Sequence, residues 1–225
     1  MSTELLDDFR DPSDWGAVAS GEARLVLAQD AGPGGSSLRL DFDFAGGGGF
    51  VVASKRFARR MPPVWALALR VRGVAPANKI EIKLADPSGR SVWWWRRDAF
   101  EMPADWQPLH IRSSEVEFAW GPAGGGAMRE LGSIEFAIVA GPGGRGSVWL
   151  ADLRFEDLSL AGPPRVSAST AAAGFEPERV LGGAGAAAGW RSASAASPQW
   201  IALDFGREHE YGGLIVDWAS PGAPR

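Results

Sequence analysis

Ser37-Leu38-Arg39-Leu40-Asp41-Phe42-Asp43-Phe44 alternates polar and apolar residues without a break. In an extended chain successive side chains point to opposite faces, so Leu38, Leu40, Phe42 and Phe44 share one side. Such a stretch reads as a strand with one buried face. Trp65–Arg72, Lys79–Leu84, Ser133–Ile138 and Val148–Phe155 follow the same period. Glycine and proline clusters separate them: Gly32-Pro33-Gly34-Gly35, Gly46 to Gly49, Asp86-Pro87-Ser88-Gly89, Gly121-Pro122 and Gly141-Pro142-Gly143-Gly144. No segment carries a convincing amphipathic-helix pattern. Many short alternating strands joined by such turns predict an all-β chain built as an antiparallel β-sandwich.

The chain has 225 residues, of which 45% are hydrophobic and 11 are Trp, enough for one large domain or two small ones with a real core. Lys+Arg number 23 against 27 Asp+Glu, a formal charge of -4. Without a net positive field, a nucleic-acid partner gripped by its phosphates is not expected. Cysteine is absent, which excludes disulfides, thiolate zinc sites and cysteine nucleophiles. The two histidines, His110 and His209, are far apart in sequence, which excludes a multi-histidine centre within one chain. No apolar run approaches the roughly 18 residues of a membrane helix, so no membrane partner is expected. Met1-Ser2-Thr3-Glu4-Leu5-Leu6-Asp7-Asp8 has neither the basic start nor the apolar run of a secretory signal. The compartment stays open: cytoplasmic as written, exported if a leader was removed.

The texture changes after Phe155. Ala161-Gly162-Pro163-Pro164 reads as a linker, because two prolines fix an extended chain. Ala171 to Gly189 is mostly Ala and Gly and reads as a loose surface segment. Strand texture returns in Gln199–Phe205 and Gly213–Trp218. The expected organisation is a sandwich over 1–160, a linker over 161–165, and a small second β unit over 166–225, near the lower size limit for its own core.

Two resemblances sharpen this. Leu6-Asp7-Asp8-Phe9-Arg10-Asp11 followed by Trp15, the run Gly34-Gly35-Ser36-Ser37-Leu38-Arg39-Leu40, and the closing Gly146–Phe155 strand resemble the jelly-roll carbohydrate-binding modules. The last strand of those modules usually carries two adjacent acidic residues; here the first of that pair is Ala151. Val166–Ser169, Phe175–Leu181, Trp190-Arg191-Ser192, Gln199–Gly206 and Gly212–Trp218 are similar to the discoidin (coagulation factor 5/8 type C, galactose-binding-like) domain. Gly182-Gly183-Ala184-Gly185 stands where that family carries its calcium-loop carboxylates, and the chain ends less than halfway through such a domain. The resemblances imply a jelly roll followed by a partial second β-sandwich, so that either the chain is a fragment with downstream domains beyond it or the half-domain packs on something else.

Trp93-Trp94-Trp95-Arg96-Arg97 is the most informative run for function. Trp93 and Trp95 share one face and Trp94 takes the other. The preceding strand sets Glu81 and Lys83 opposite a core face of Ile80, Ile82 and Leu84. If Asp86–Gly89 forms a type I turn with Gly89 as a left-handed bulge, Lys83 faces Trp93 and Glu81 faces Trp95 on the non-core side. A loop without that bulge puts Trp93 and Trp95 in the core. On the bulge reading, which is preferred, the two indoles stand among Glu81, Lys83 and Arg97. By alternation His110, Arg112 and Glu135 also fall on an outer face. Flat rings among charged groups suit a sugar, whose C–H face stacks on an indole and whose hydroxyls need planar partners. The plainer reading is that the indoles are core and the charges solvate an exposed sheet.

Asp7, Asp8, Asp11 and Asp14 form an acidic cluster. First and last strands are neighbours in such modules, so Asp8 and Asp11 with Asp41 and Asp152 are the candidate ligands of a structural calcium ion, backbone carbonyls supplying the remaining oxygens. The plainer reading is a turn whose carboxylates cap backbone amides. Gly46 to Gly49 lacks the Lys-Ser/Thr of a phosphate loop, His209-Glu210 lacks the second histidine of a zincin, and no Gly-x-Ser-x-Gly elbow occurs. Arg56, Arg59 and Arg60 read as a solvated loop, and Trp120 as packing at a sheet edge. The expected function is a non-catalytic module that binds a polysaccharide or oligosaccharide within a larger carbohydrate-active protein. The alternative is a structural sandwich that positions its neighbours without binding sugar; an enzyme in its own right ranks third.

Overall fold

The computed structural model describes residues 2–159, 162–182, 189–206 and 215–217. The strands in chain order are β1 (Ser2–Asp7), β2 (Gly16–Ala19), β3 (Arg24–Gly32), β4 (Gly35–Asp43), β5 (Phe50–Arg60) and β6 (Trp65–Val74). They continue with β7 (Asn78–Ala85), β8 (Val92–Phe100), β9 (Gln107–Arg112), β10 (Glu117–Trp120), β11 (Glu130–Val139) and β12 (Arg145–Asp157). Two antiparallel sheets result. The first runs β3-β4-β12-β6-β9, with β1 added on β12; the second runs β10-β8-β7-β11-β5-β2. This is an all-β jelly-roll sandwich.

The period of two decides which residues meet between the sheets. Leu38, Leu40 and Phe42 from β4 with Phe44 just beyond it, Leu67, Leu69 and Val71 from β6, and Val148 and Leu150 from β12 are buried from one side. Val51, Ala53, Ile80, Ile82, Leu84, Ile134, Phe136 and Ile138 are buried from the other, in one continuous core. Fully burying an aliphatic or aromatic side chain is worth about 1.5–3 kcal/mol, so this layer dominates the stability. β12 keeps its alternation only by breaking it once. Asp152 and Leu153 stand opposite the single residue Leu69 of β6 as a bulge, with Asp152 at φ 55°, and the inward set shifts from Val148 and Leu150 to Leu153 and Phe155. The first half of β12 pairs with β4 and the second half with β1.

The chain divides into two compact units, Met1–Ser159 and Leu160–Arg225. In the second, β13 (Arg165–Ala168) pairs with β14 (Ile201–Asp204). That two-stranded sheet is as much of the expected second sandwich as the described residues contain. Of the expected strand Gly213–Trp218, residues 215–217 are described and form no strand, and the rest lies outside the described residues, as does most of the Gly182–Gly185 loop. Residues 171–182 are less loose than their composition suggests: the Ala172 amide donates to the Arg191 carbonyl at 2.8 Å, and the Arg191 guanidinium sits 4.0 Å above the Phe175 ring.

Candidate functional site

The β7–β8 hairpin sets the faces of the three tryptophans. Gly89 takes φ 71° and its amide donates to the Asp86 carbonyl at 2.9 Å, so the expected turn forms. The ladder nevertheless resumes one residue later than the bulge reading requires. Asp86 Oδ1 accepts from the Ser88 hydroxyl at 2.8 Å and from the Arg90 and Ser91 amides at 3.1 and 3.3 Å, which draws Arg90 into the loop. The Asp86 amide then closes on the Ser91 carbonyl at 3.0 Å. A one-residue slip moves every side chain to the other face. Leu84 therefore faces Trp93, Lys83 faces Trp94, and Ile82 faces Trp95. Trp93 and Trp95 are core residues, 5% and 4% exposed, and their placement on the outer surface is corrected. The Trp93 indole donates to the Gly126 carbonyl at 2.7 Å, whereas Trp95 Nε1 is buried with no partner.

Trp94 takes the outer place. A row of side chains crosses all six strands of the second sheet: Glu117, Trp94, Lys83, Glu135, Ser54 and Gly16. The next row carries Arg96, Glu81, Ala137, Val52 and Val18. Beyond it stand Lys79, Val139 and Phe50. Trp94 meets Trp120 edge-on, ring centroids 5.5 Å apart at 85°. Trp120 is 46% exposed and Phe50 39%. Lys83 Nζ lies 5.9 Å from the centroids of both Trp120 and Phe50, and the Arg96 guanidinium lies 4.5 Å from Trp94. Aromatic rings thus stand on either side of a polar floor.

Glu81 is the buried carboxylate of this floor. Its side chain is 6% exposed and holds Lys79 Nζ at 2.7 Å and Lys83 Nζ at 3.3 Å. Burial works against its charge, but the Lys79 hydrogen bond and the Lys83 charge outweigh burial and hold its carboxyl below the ordinary value. At one end the row opens into a groove of about 420 Å³ between the Asp86–Gly89 loop and Asp14, Lys55 and Arg56, with Ser54 and Glu135 in its lining.

Of the residues expected to form one site, Glu81, Lys83 and Glu135 are brought together; the others are not. Arg97 lies across from Ile80, on the parity of the core face, with its guanidinium 4.5 Å from Trp95 and 3.0 Å from Glu115. His110 and Arg112 belong to β9 in the other sheet, and His110 Nε2 meets Glu156 at 2.9 Å. Trp94, Trp120 and Phe50 were missed. Once Glu81 and Lys83 are placed outside, some indole must join them, and only the loop length says which.

The four candidate calcium ligands do not fit such an ion. Asp8 pairs with Arg10 at 2.9 Å, and Asp11 caps the Ser13 amide at 2.9 Å. Asp41 binds Arg39 and the Ser147 hydroxyl, and Asp152 binds Arg154 at 2.8 Å. Among the described residues no three metal-ligating side chains converge. The neighbouring Asp7 and Asp14 hold an internal cation instead: Lys55 Nζ lies 2.8 Å from Asp7 and 2.7 Å from Asp14. Burial disfavours that ammonium, yet its bonds to Asp14 and Asp7 prevail and raise it above the ordinary lysine value. Asp7 also accepts from the Phe9 amide at 2.7 Å and the Trp15 indole at 3.0 Å, which ties the end of β1 to the core.

A family 11 carbohydrate-binding module from Clostridium thermocellum, in complex with a β-1,3-1,4-mixed-linked tetrasaccharide, matches with a TM-score of 0.58 at 16% identity, covering 68% of this chain and 95% of that one. The fold is that of a jelly-roll carbohydrate-binding module. The family 11 module of a cellulosomal cellulase of Clostridium thermocellum matches with a TM-score of 0.57 at 15% identity, covering 72% of this chain and 98% of that one. No protein-family model matches the chain, and no curated protein matches it by sequence. Neither structure bears on the discoidin resemblance of the second unit.

Proposed function

We propose that the first unit is a non-catalytic saccharide-binding module and that the outer face of its second sheet is the binding surface. The observation that carries this is the outward-facing pair of half-buried Trp94 and exposed Trp120 standing beside the polar row of Lys83, Glu135 and Ser54. Indole faces attract the C–H side of a pyranose, and paired carboxylates and ammonium groups match its hydroxyls. Six strands at about 4.8 Å each give a surface roughly 24 Å across, the length of several sugar units. The module of like fold that was determined with a tetrasaccharide supports the ligand class. Glu81, the enclosed carboxylate, fixes the two ammonium groups of Lys79 and Lys83 beside the rings, where they can meet sugar hydroxyls. In this reading the module concentrates a catalytic domain of a larger protein at its polysaccharide.

Affinity electrophoresis and calorimetry against a panel of neutral polysaccharides test this. The protein should be retarded by at least one of them. Trp120→Ala and Trp94→Ala should each weaken that interaction tenfold or more with unchanged far-UV circular dichroism. If no polysaccharide retards the wild type, or both variants bind equally well, the surface is structural.

A further inference from the structure

The outer face of the first sheet carries a second array of rings and charges. Trp149 on β12 lies across from Arg39 on β4 and Arg72 on β6. Its Nε1 donates to Asp30 Oδ2 at 3.0 Å, and this bond is the main cause that lowers the Asp30 carboxyl below its ordinary value. Arg39 reaches Asp30 at 3.4 Å and Asp41 at 3.0 Å, and Asp41 accepts from the Ser147 hydroxyl at 2.6 Å. In this network each carboxylate is answered by a donor.

Arg72 is not answered. Its guanidinium lies between two indoles, 4.2 Å from the Trp149 centroid and 5.2 Å from that of Trp106, which immediately precedes β9. Its Nε is enclosed with no hydrogen-bond partner, and among the described residues no carboxylate pairs with it. Arg70 stands two residues along β6 on the same face, exposed. A guanidinium presents five N–H donors in a planar fork that fits a carboxylate or sulfate bidentately. Held between rings it is pre-positioned, and the apolar flanks strengthen its attraction for an anion. The indoles offer a C–H platform beside that anion.

We propose that this array is a second binding site, for an acidic saccharide. Arg72, supported by Arg70, takes the carboxylate or sulfate group, and the indole surface of Trp149 and Trp106 that Arg72 leaves free takes the C–H side of the sugar ring. The site shares a ligand class with the second-sheet surface but none of its residues, so either can fail without the other.

The test uses the full chain, titrated calorimetrically with oligogalacturonate as the carboxylate probe and a sulfated glucan oligosaccharide as the sulfate probe. Polyglutamate and inorganic sulfate are the controls. The wild type should bind one acidic saccharide more tightly than either control. Arg72→Gln should weaken it tenfold or more, and Arg72→Lys threefold or more, since a point charge lacks the fork. Trp94→Ala should leave it intact. In the wild type itself, the Arg72 Nε–H resonance should shift on addition of the saccharide, a readout independent of any variant's folding. Equal binding of polyglutamate would point to an acidic peptide and overturn the proposal. So would equal binding of inorganic sulfate, unchanged affinity in Arg72→Gln, a silent Nε–H resonance, or loss of acidic-saccharide binding in Trp94→Ala alone.

Discussion

Trp94 differs from Trp93 and Trp95 by one peptide unit, and a pleated strand turns that unit into a change of face. Trp93 and Trp95 lie across from Leu84 and Ile82 and fill the core, while Trp94 lies across from Lys83. The parity of Glu81 and Lys83 was legible from Ile80, Ile82 and Leu84. The register of the following strand was not, because it depends on how many loop residues the Asp86 carboxylate captures. That is a side-chain choice which alternation does not encode. Substitution separates the two kinds of indole. Trp95→Ala removes a large core side chain and should cost about 3–5 kcal/mol. Trp94→Ala removes a half-buried ring from an outer face and should cost under about 1 kcal/mol. Urea titrations of both variants check this; equal costs would mean that the two rings share an environment.

At the scale of the strand, β7 shows how one element serves both faces. Its inward residues Ile80, Ile82 and Leu84 pack in the core, and outward it carries the Lys79–Glu81–Lys83 triad. Burying a carboxylate is tolerable only because two ammonium groups answer it. The folded chain holds Glu81 below the ordinary carboxylate value of about 4.3, so the unfolded chain takes up its proton first as pH falls. The triad's contribution is complete above that ordinary value and is lost as pH drops through the lower folded value. Glu81→Gln should therefore show a smaller fall in melting temperature between pH 6 and pH 3 than the wild type. At pH 7 it should cost about 2–3 kcal/mol, below the usual figure for breaking a buried pair because both lysines reach water. An identical acid profile in the variant would show that other carboxylates carry the whole acid sensitivity. The bulge in β12 was less readable. Val148–Phe155 looks like one alternating run, but the bulge at Asp152-Leu153 shifts its phase so that Leu153 and Phe155 stay inside.

For the whole molecule, the sandwich was legible because its period repeats across many strands, and one misjudged register does not change which layers form. The candidate site was only partly legible because it is a surface assembled by registers. Residues matched by type, such as His110 and Glu81, end on different sheets. Among the described residues, the core that joins the layers lies within the first unit, from Phe9 to Phe155, and includes Trp15, Trp65, Trp93 and Trp95. A chain ending at Ser159 therefore contains every residue of this core cluster. It should fold by itself, with a β-type far-UV spectrum, blue-shifted tryptophan emission and one cooperative melting transition. Both outer sheet faces travel with it, so it should keep the saccharide retention lost in Trp94→Ala and the acidic-saccharide response lost in Arg72→Gln. In the second unit the described strands, four residues each, pair only with one another, and a two-stranded sheet is marginal by itself. Uncooperative melting or exposed tryptophan emission in the 1–159 fragment would mean that residues beyond Ser159 supply part of the sandwich's stability.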